Sequence, residues 1–345
     1  MSLFEFVIKD KNGKALATLD SAFNRSFSTY LNKSGDAHFS LSIYDAKVTQ
    51  EMLQLGNKEL YIYRANTLLW GGELLYSRSD MSRDTEKIDV SAKGFFDLLS
   101  KRYVGTAANP RVFTNTDLAD IAWTIINESQ SQTDGDFGIT QGTHPTTRDA
   151  DRTYEYKNVK EAIEGLSNLN VQNGFDFEVG PDKKFSVFYH VRGSLRKDAV
   201  FEWGVNIQEF YESLDATEMA NRAIVLGEGQ GSEMKTATRN ASAYLQNTYK
   251  VREHIVSVKD VSTTPTLNDH GDKELSENQV QQQIVGLKTK GNLSPVLGSY
   301  GVGDSIRVKV KEGLVQIDGY YRVYGITVRI TEEDDEEIEL IFNPN

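Results

Sequence analysis

The chain has 345 residues, no cysteine, and a net charge of −12 with a pI near 5.0. The missing thiols exclude disulfides, thiolate nucleophiles and Cys-based zinc sites, and fit folding in a reducing cytoplasm. Without a Lys/Arg cluster, the acidity argues against a surface that grips nucleic acid through its phosphates, but not against DNA that slides past a like-charged surface without sticking.

Hydrophobic residues at 39% and charged residues at 26% describe an ordinary folded protein, and the length predicts two or three domains. The segment Met1–Ile8 lacks the basic start and long apolar stretch of a signal peptide and reads as an opening strand. No apolar run approaches the roughly 20 residues of a membrane-spanning helix, so no membrane anchor is expected. The first hundred residues alternate with period two at His38–Ile43, Leu60–Tyr63 and Lys87–Ala92, punctuated by Asn12-Gly13, Gly56-Asn57 and Gly71-Gly72. A short helix over Phe95–Leu99 closes this part.

The middle changes character. Thr116 is placed to cap a helix through Ser129 with Leu118, Ile121, Ala122, Ile125 and Ile126 on one stripe. Asn158 precedes a second helix, with Glu161 in the capping-box position, Ala162, Ile163, Leu166 and Leu169 facing inward, and Asn173-Gly174 as its end. A hairpin follows, Phe175–Val179 returning as Phe185–Tyr189. The last third resumes as strand at Arg222–Gly227 and then makes a polar excursion over Glu228–Gly291. Val280, Ile284 and Leu287 predict a helix over Ser276–Leu287 within that excursion, and strands over Ser305–Val310, Tyr320–Ile330 and Glu337–Phe342 end the chain.

Residues that could carry chemistry are scattered. Gly227-Glu228-Gly229-Gln230-Gly231 has Ser232 where a dinucleotide loop needs glycine and opens no apolar helix, so it reads as a strand exit. His38, His144, His190, His254 and His270 show no ligand spacing, and Asp134-Gly135-Asp136 and Asp149-Ala150-Asp151 read as loop acids too short for a calcium loop. Trp70, Trp123 and Trp203 sit in apolar patterns and are expected in cores rather than stacked on sugars. No catalytic, cofactor or metal site is expected. The one feature singled out is the acidic run Glu332, Glu333, Asp334, Asp335, Glu336 and Glu337, which reads either as a solvated hairpin tip or, more sharply, as a tip that lines or rims a lumen and repels DNA.

A repeat links the two ends. Gly56 precedes a strand at Leu60–Tyr63, a turn, a strand over Leu74–Arg78, a polar turn and Lys87–Ser91; Gly303 precedes Ile306–Val310, then Gly319, Val323–Ile330, the acidic turn and Ile338–Leu340. The expected architecture is α+β, mainly β. A small β-barrel over 1–103 and a similar one over 201–345, with a partly helical insertion at about 228–295, flank a helix-hairpin α+β domain over 104–200.

The ordered pattern GGELLYSRSD (71–80), KIDVSAKGFFDLL (87–99), VKEAIEGLSNLNVQNGFDFEV (159–179), FSVFY (185–189), WGVNIQEFYESLDATEMANRAIVLGEG (203–229), YGVGDSIRVKV (300–310) and GYYRVYGITVRI (319–330) resembles the central hub proteins of phage tail tips and baseplates and of related injection particles. The resemblance spans nearly the whole chain. It implies two tube-forming barrels and a homotrimer whose six barrels match the sixfold rings of a tail tube. It also implies a lumen for DNA or tape-measure protein, located at the virion tail tip after synthesis in the host cytoplasm. The implied partners are the tail tube or distal tail ring, the tape-measure protein, and a tip, spike or fibre protein, with DNA passing unbound. Many relatives extend further into cell-wall hydrolase or fibre-like parts, whereas this sequence stops at Asn345, so a non-enzymatic scaffold is expected. The alternatives are a tail-associated hydrolase or endopeptidase, which would need a catalytic cluster, and a receptor-binding tail protein.

Overall fold

The computed structural model describes residues 3–82, 86–167 and 174–343. The period-two alternation of the first part becomes seven strands: β1 (Phe4–Asp10), β2 (Ala15–Thr18), β3 (Phe23–Tyr30), β4 (Asp36–Ser42), β5 (Lys58–Arg64), β6 (Thr67–Met81) and β7 (Glu86–Gly94). Alternate residues such as Phe4, Phe6 and Ile8, or Leu60 and Ile62, turn inward and are almost fully buried. A single 3₁₀ turn system over Phe95–Lys101 follows, where the short helix was expected.

The middle unit comprises β8 (Tyr103–Val104), β9 (Arg111–Asp117), α1 (Leu118–Gln130), β10 (Thr140–Gln141), β11 (Asp149–Tyr154), β12 (Lys157–Asn158), α2 (Val159–Ser167), β13 (Asp176–Val179) and β14 (Lys184–Phe188). The cap of α1 is Asp117, not Thr116: its carboxylate accepts from the Ala119 and Asp120 amides at 2.9 and 3.4 Å and from Thr147, while the Thr116 hydroxyl turns back to the Thr114 carbonyl. An anionic cap at this end also meets the positive pole of the helix, which a threonine cannot do. Asn158 caps α2 as expected, accepting from the Glu161 amide at 3.2 Å. Glu161 completes no reciprocal box and pairs instead with Lys157 at 3.3 Å. The expected inward position of Leu169 and the end of the helix at Asn173 lie outside the described residues. Both helices pack their apolar stripes with Phe175, Phe177 and Phe185 into a core of their own.

The remainder holds β15 (Leu195–Glu202), β16 (Glu209–Asp215), β17 (Arg222–Leu226), β18 (Thr236–Asn240), α3 (Ala243–Thr248), β19 (Glu253–Ser257), α4 (Thr264–Asn278), β20 (Gln282–Lys290), β21 (Ser305–Glu312), β22 (Val315–Ile330) and β23 (Glu336–Asn343). Two expectations are corrected here. The strand at Arg222–Leu226 belongs to a separate sheet, ordered β18-β17-β19, rather than to the terminal β-structure. The helix expected over Ser276–Leu287 ends at Asn278, and Gln282–Lys290 is a strand. Val280, Ile284 and Leu287 fit a helical stripe, but Val285 and Leu287 are the buried residues, and Val280 and Ile284 are exposed, because the segment is paired on both sides by β16 and β23. The helix lies upstream, with Pro265 in its first turn and Leu267, Gly271 and Leu275 on one buried face. Gly271 is needed there: a Cβ would sit 2.5 Å from Arg239 Cγ and 3.2 Å from Val225 Cγ2.

The two ends of the chain share one sheet of thirteen described strands. The first half is ordered β3-β4-β7-β6-β5-β1 and the second β16-β20-β23-β22-β21-β15, so strands paired off by position follow each other in the same chain order. The insertion β17–α4 falls where the first half turns directly from β3 to β4. The repeat extends to detail. Each long strand, β6 and β22, carries a one-residue bulge against its following partner, between Leu74 and Tyr76 and between Val323 and Gly325. The Gly56 amide donates to the Leu74 carbonyl at 2.9 Å and the Gly303 amide to the Val323 carbonyl at 2.8 Å, both glycines having positive φ. One departure is direction, since β1 lies antiparallel to β5 but β15 parallel to β21. Neither half closes on itself by hydrogen bonds among the described residues; β3 instead joins β22 of the other half, and a continuous core from Phe4 to Phe342 underlies both.

The insertion docks on the middle unit through α4. Arg148 pairs with Asp269 at 3.3 Å, and His270, half-buried beside it, has its pKa lowered, first by burial and then by Arg152 and Lys273, against the opposing pull of Asp260 and Asp269. A histidine held neutral contributes stability that is full above the ordinary range near 6.5 and is lost as pH falls through it towards the lower folded value. The protection of α4 against hydrogen exchange, measured relative to the intrinsic exchange rate at each pH, is therefore expected to fall below about pH 6.5. A His270→Asn variant is expected to flatten that dependence, and equal pH profiles in the two proteins would refute the assignment.

Candidate assembly site

The acidic run sits on the hairpin between β22 and β23, with Thr331–Asp335 forming the turn and Asp334 at φ +63°. Aspartate tolerates this left-handed conformation better than most side chains. Sequence alone treats the six carboxylates as one cluster, but the fold divides them. Asp334 points back to the N-terminal strands, where Arg25, itself 7% exposed, donates to its carboxylate at 2.7 Å and to the Thr331 carbonyl at 2.8 Å. The Leu3 amide reaches the same carboxylate at 3.3 Å. Glu336 is buried and forms a two-pronged pair with Arg64 of β5, the second contact being 3.2 Å. Glu332, Glu333, Asp335 and Glu337 are exposed. Two of the acids thus lock the second half of the sheet to the first, and four form a charged tip.

A second junction lies at Asp176, at the start of β13 and 6% exposed. One carboxylate oxygen accepts from Asn32 Nδ2 at 2.8 Å, and the other accepts from the Arg192 amide at 2.6 Å and from the Arg322 guanidinium. Asn32 also accepts from the Phe177 amide at 2.8 Å, and Arg322 donates onward to the Arg192 carbonyl at 3.1 Å. This one side chain therefore ties the first half of the sheet, the second half and the middle unit together. Beside it, Lys183 of the β13–β14 turn pairs with Glu59 of β5 at 2.5 Å, both side chains being largely buried. No sequence pattern marks Asp176. Its partners lie 144 and 146 positions away, so only the tertiary structure brings them together.

Glu73 stands directly across from Glu59 in the β5–β6 register. Burial, then the Glu59 charge, raises its pKa, against the pull of Lys183. A raised carboxyl pKa means that stability is fuller at low pH and is lost as pH rises through the folded value. Glu73→Gln is accordingly expected to raise the unfolding midpoint at pH 7 and leave it nearly unchanged near pH 4, which thermal denaturation at the two pH values would check.

The other marked residues serve local structure. Asp149 and Asp151 lie in strand β11, not in a loop, and their carboxylates accept from Asn115, at 3.4 Å from its side chain and 2.7 Å from its amide. Asp136 accepts from the Gly138 amide at 2.7 Å within its turn. His144 pairs with Asp120 at 2.8 Å and His254 with Glu274 at 2.5 Å, each on a separate surface. Among the described residues no group of three or more His, Asp or Glu is arranged to hold a metal ion, and no helix is long and apolar enough to cross a membrane. The Gly227–Gly231 segment enters a hairpin in which the Gly227 amide donates to the Lys235 carbonyl and the Lys235 amide to the Glu228 carbonyl, both at 2.8 Å. Trp70 is buried, with its indole donating to the Ser28 carbonyl at 3.0 Å, and Trp123 packs on the middle core. Trp203 departs from expectation: its amide still donates to the Lys309 carbonyl at 2.9 Å, but at the turn that follows β15 the residue is 41% exposed.

No family model and no curated protein sequence matches the chain. Solved structures do match in fold. The 43 kDa tail protein of prophage MuSo2 from Shewanella oneidensis superposes with a TM-score of 0.70 at 13% identity, covering 98% of each chain. The tail protein from Neisseria meningitidis MC58 gives 0.65 at 12%, covering 99% of this chain and 97% of that one. A component of the E. coli type VI secretion system, described as structurally similar to T4 bacteriophage tail proteins gp27 and gp5, gives 0.51 at 11%, covering 94% of this chain and 74% of that one.

Proposed function

Because the chain folds as phage tail proteins fold over almost its full length, we propose that it is a structural hub protein of a phage tail tip or baseplate. In this reading three copies form a ring with pseudo-sixfold symmetry that joins the tail tube to the tip and lines the channel for DNA. The observation that carries the reading is the repeated strand order. A chain with two equivalent units presents six in a trimer, which matches a sixfold tube ring while offering threefold symmetry to a spike or fibre, and closed cyclic symmetry is the usual outcome for a homo-oligomer. Each unit is then a tube-type barrel element whose wall is completed by its neighbours, since neither half closes alone among the described residues. The tail tube or distal ring, the tape-measure protein and the spike are the proposed neighbours, and the acidic tip faces or rims the lumen. The likeness to a secretion-system component described as structurally similar to the T4 tail proteins gp27 and gp5 supports a place among the proteins of a tail or injection particle. The role is scaffolding rather than catalysis.

The test is mass in solution together with function. Light scattering is expected to give about 116 kDa, three times the 38.7 kDa chain, and the oligomer is expected to bind tail-tube rings. A monomer that degrades cell wall, or binds host cells by itself, would sink the proposal.

A further inference from the structure

The sheet contains a junction between its two equivalent units, and the same two edges recur unpaired at the ends of the repeat. At the junction, the extended half of β22 pairs antiparallel with β3: Gly325 with Tyr30, Ile326 with Thr29, Thr327 with Ser28, Val328 with Phe27, Arg329 with Ser26 and Ile330 with Arg25. The counterpart of β3 in the second unit is β16, which ends the sheet path, and its far edge has no strand partner among the described residues. The counterpart of the β22 extension is the β6 segment beyond the bulge. There β5 pairs only as far as Glu73, and β7 covers the opposite side through Met81. Each chain therefore carries one copy of the junction made and one of each half unmade.

Both free edges are exposed and bear apolar groups that a solvent-facing edge rarely keeps. Leu75, Tyr76 and Met81 on β6 are 41, 53 and 73% exposed, and Tyr211 and Leu214 on β16 are 37 and 57% exposed. We infer that β16 of one chain adds antiparallel to the Tyr76–Met81 segment of the next copy, repeating the β3–β22 junction between chains. The inference deepens the ring reading above and rests on it for the number of copies only.

The register follows from the bulges and shared partners. Aligning the β6 bulge on that of β22 equates Tyr76 with Gly325 and Met81 with Ile330. Phe39 and Leu287 face Val90 and Leu340 in equivalent places, so Ser26, opposite His38, equates with Tyr211, opposite Gly286. Between chains this sets Tyr76 against Asp215, Ser77 against Leu214, Arg78 against Ser213, Ser79 against Glu212, Asp80 against Tyr211 and Met81 against Phe210. Met81 then covers Phe210, and Arg78 lies on the same face as Asp215, two positions along, within reach of an ion pair. Addition of a strand to an open edge supplies the main-chain bonds that both edges lack. Because the two edges differ, the contact is head-to-tail and closes into a ring when the rotation per chain permits.

The chain has no cysteine, so engineered pairs report cleanly. Arg78→Cys with Ser213→Cys, both at exposed positions, is expected under oxidation to convert most of the chain from 38.7 kDa to reducible covalent species ending at a closed trimer. Either single variant, or Arg78→Cys with the off-register Glu209→Cys, is expected to link at least several-fold less. A link within one chain would run at monomer mass and count against the inference. In the uncrosslinked protein, Tyr76→Asp places a carboxylate against Asp215 and is expected to weaken self-association a few-fold, while Tyr76→Lys strengthens it, both effects shrinking in high salt. A trimer by light scattering whose in-register pair does not link overturns the strand pairing and leaves the trimer standing. Efficient in-register linking that ends at another closed mass, or runs on as an open ladder, upholds the pairing and overturns the three-chain ring. A chain monomeric and unlinked even in concentrated solution overturns both.

Discussion

Replacing Asp176 by alanine is expected to destabilise the protein by about 3–5 kcal/mol, the range for removing one partner of a buried ion pair. The carboxylate has 8% of its side chain exposed and Arg322 21%, so alanine would strand a guanidinium with little water to replace its partner. The same change orphans the Asn32 side-chain amide and the Arg192 main-chain amide, bonded to this one group at 2.8 and 2.6 Å. These losses fall at the seam of the sheet halves and the middle unit, so chemical denaturation is expected to show an early transition in which the middle unit, which keeps its own core, separates from the sheet. Removing Arg322 as well, in Asp176→Ala with Arg322→Ala, should restore part of the stability because no charge is then left unpaired. A single-variant loss below about 1 kcal/mol would show that the junction contributes no more than an exposed ion pair.

Neutralising the acidic hairpin should give opposite results depending on which of its carboxylates are changed. Glu336→Gln is expected to cost about 2 kcal/mol, less than a fully buried pair because Arg64 keeps 28% of its side chain in solvent. Asp334→Asn should act in the same direction through Arg25. Changing Glu332, Glu333, Asp335 and Glu337 together to their amides should leave stability within about 0.5 kcal/mol, as surface substitutions usually do. That quadruple change takes the net charge from −12 to −8. If the tip lines or rims the channel, particles carrying it are expected to assemble poorly or eject DNA more slowly, since fewer like charges then repel phosphate from the wall. Assembly and ejection indistinguishable from the parent would remove the tip from the lumen.

Much of this is legible in the amino-acid sequence. Strand alternation located most strands of the first half and the last three of the second, because a strand with one face on a core must alternate whatever its partner. Asn158 capped its helix as its spacing predicts, because a cap is a contact made within three residues. The spacing from Gly56 and from Gly303 predicted two related units, and both glycines make the same bond to the same place on the following long strand. These features share a cause: each depends on neighbours within a few residues, or on a pattern repeated along the chain.

What only the tertiary structure decided depends on partners far along the chain. Val280, Ile284 and Leu287 satisfy a helical period, yet Gln282–Lys290 is a strand because β16 and β23 flank it and bury Val285 and Leu287 instead. Six carboxylates from Glu332 to Glu337 are equivalent in the sequence, and the positions of Arg25 and Arg64, some three hundred residues earlier, select two of them for the interior. Asp176 carries no local signature because all its importance lies in where Asn32 and Arg322 arrive. The repeat itself was readable, but not the joining of its halves through β3 and β22 into one sheet. Strand order is set by which edges meet in space, and an edge offers the same unpaired amides and carbonyls to any strand of suitable shape.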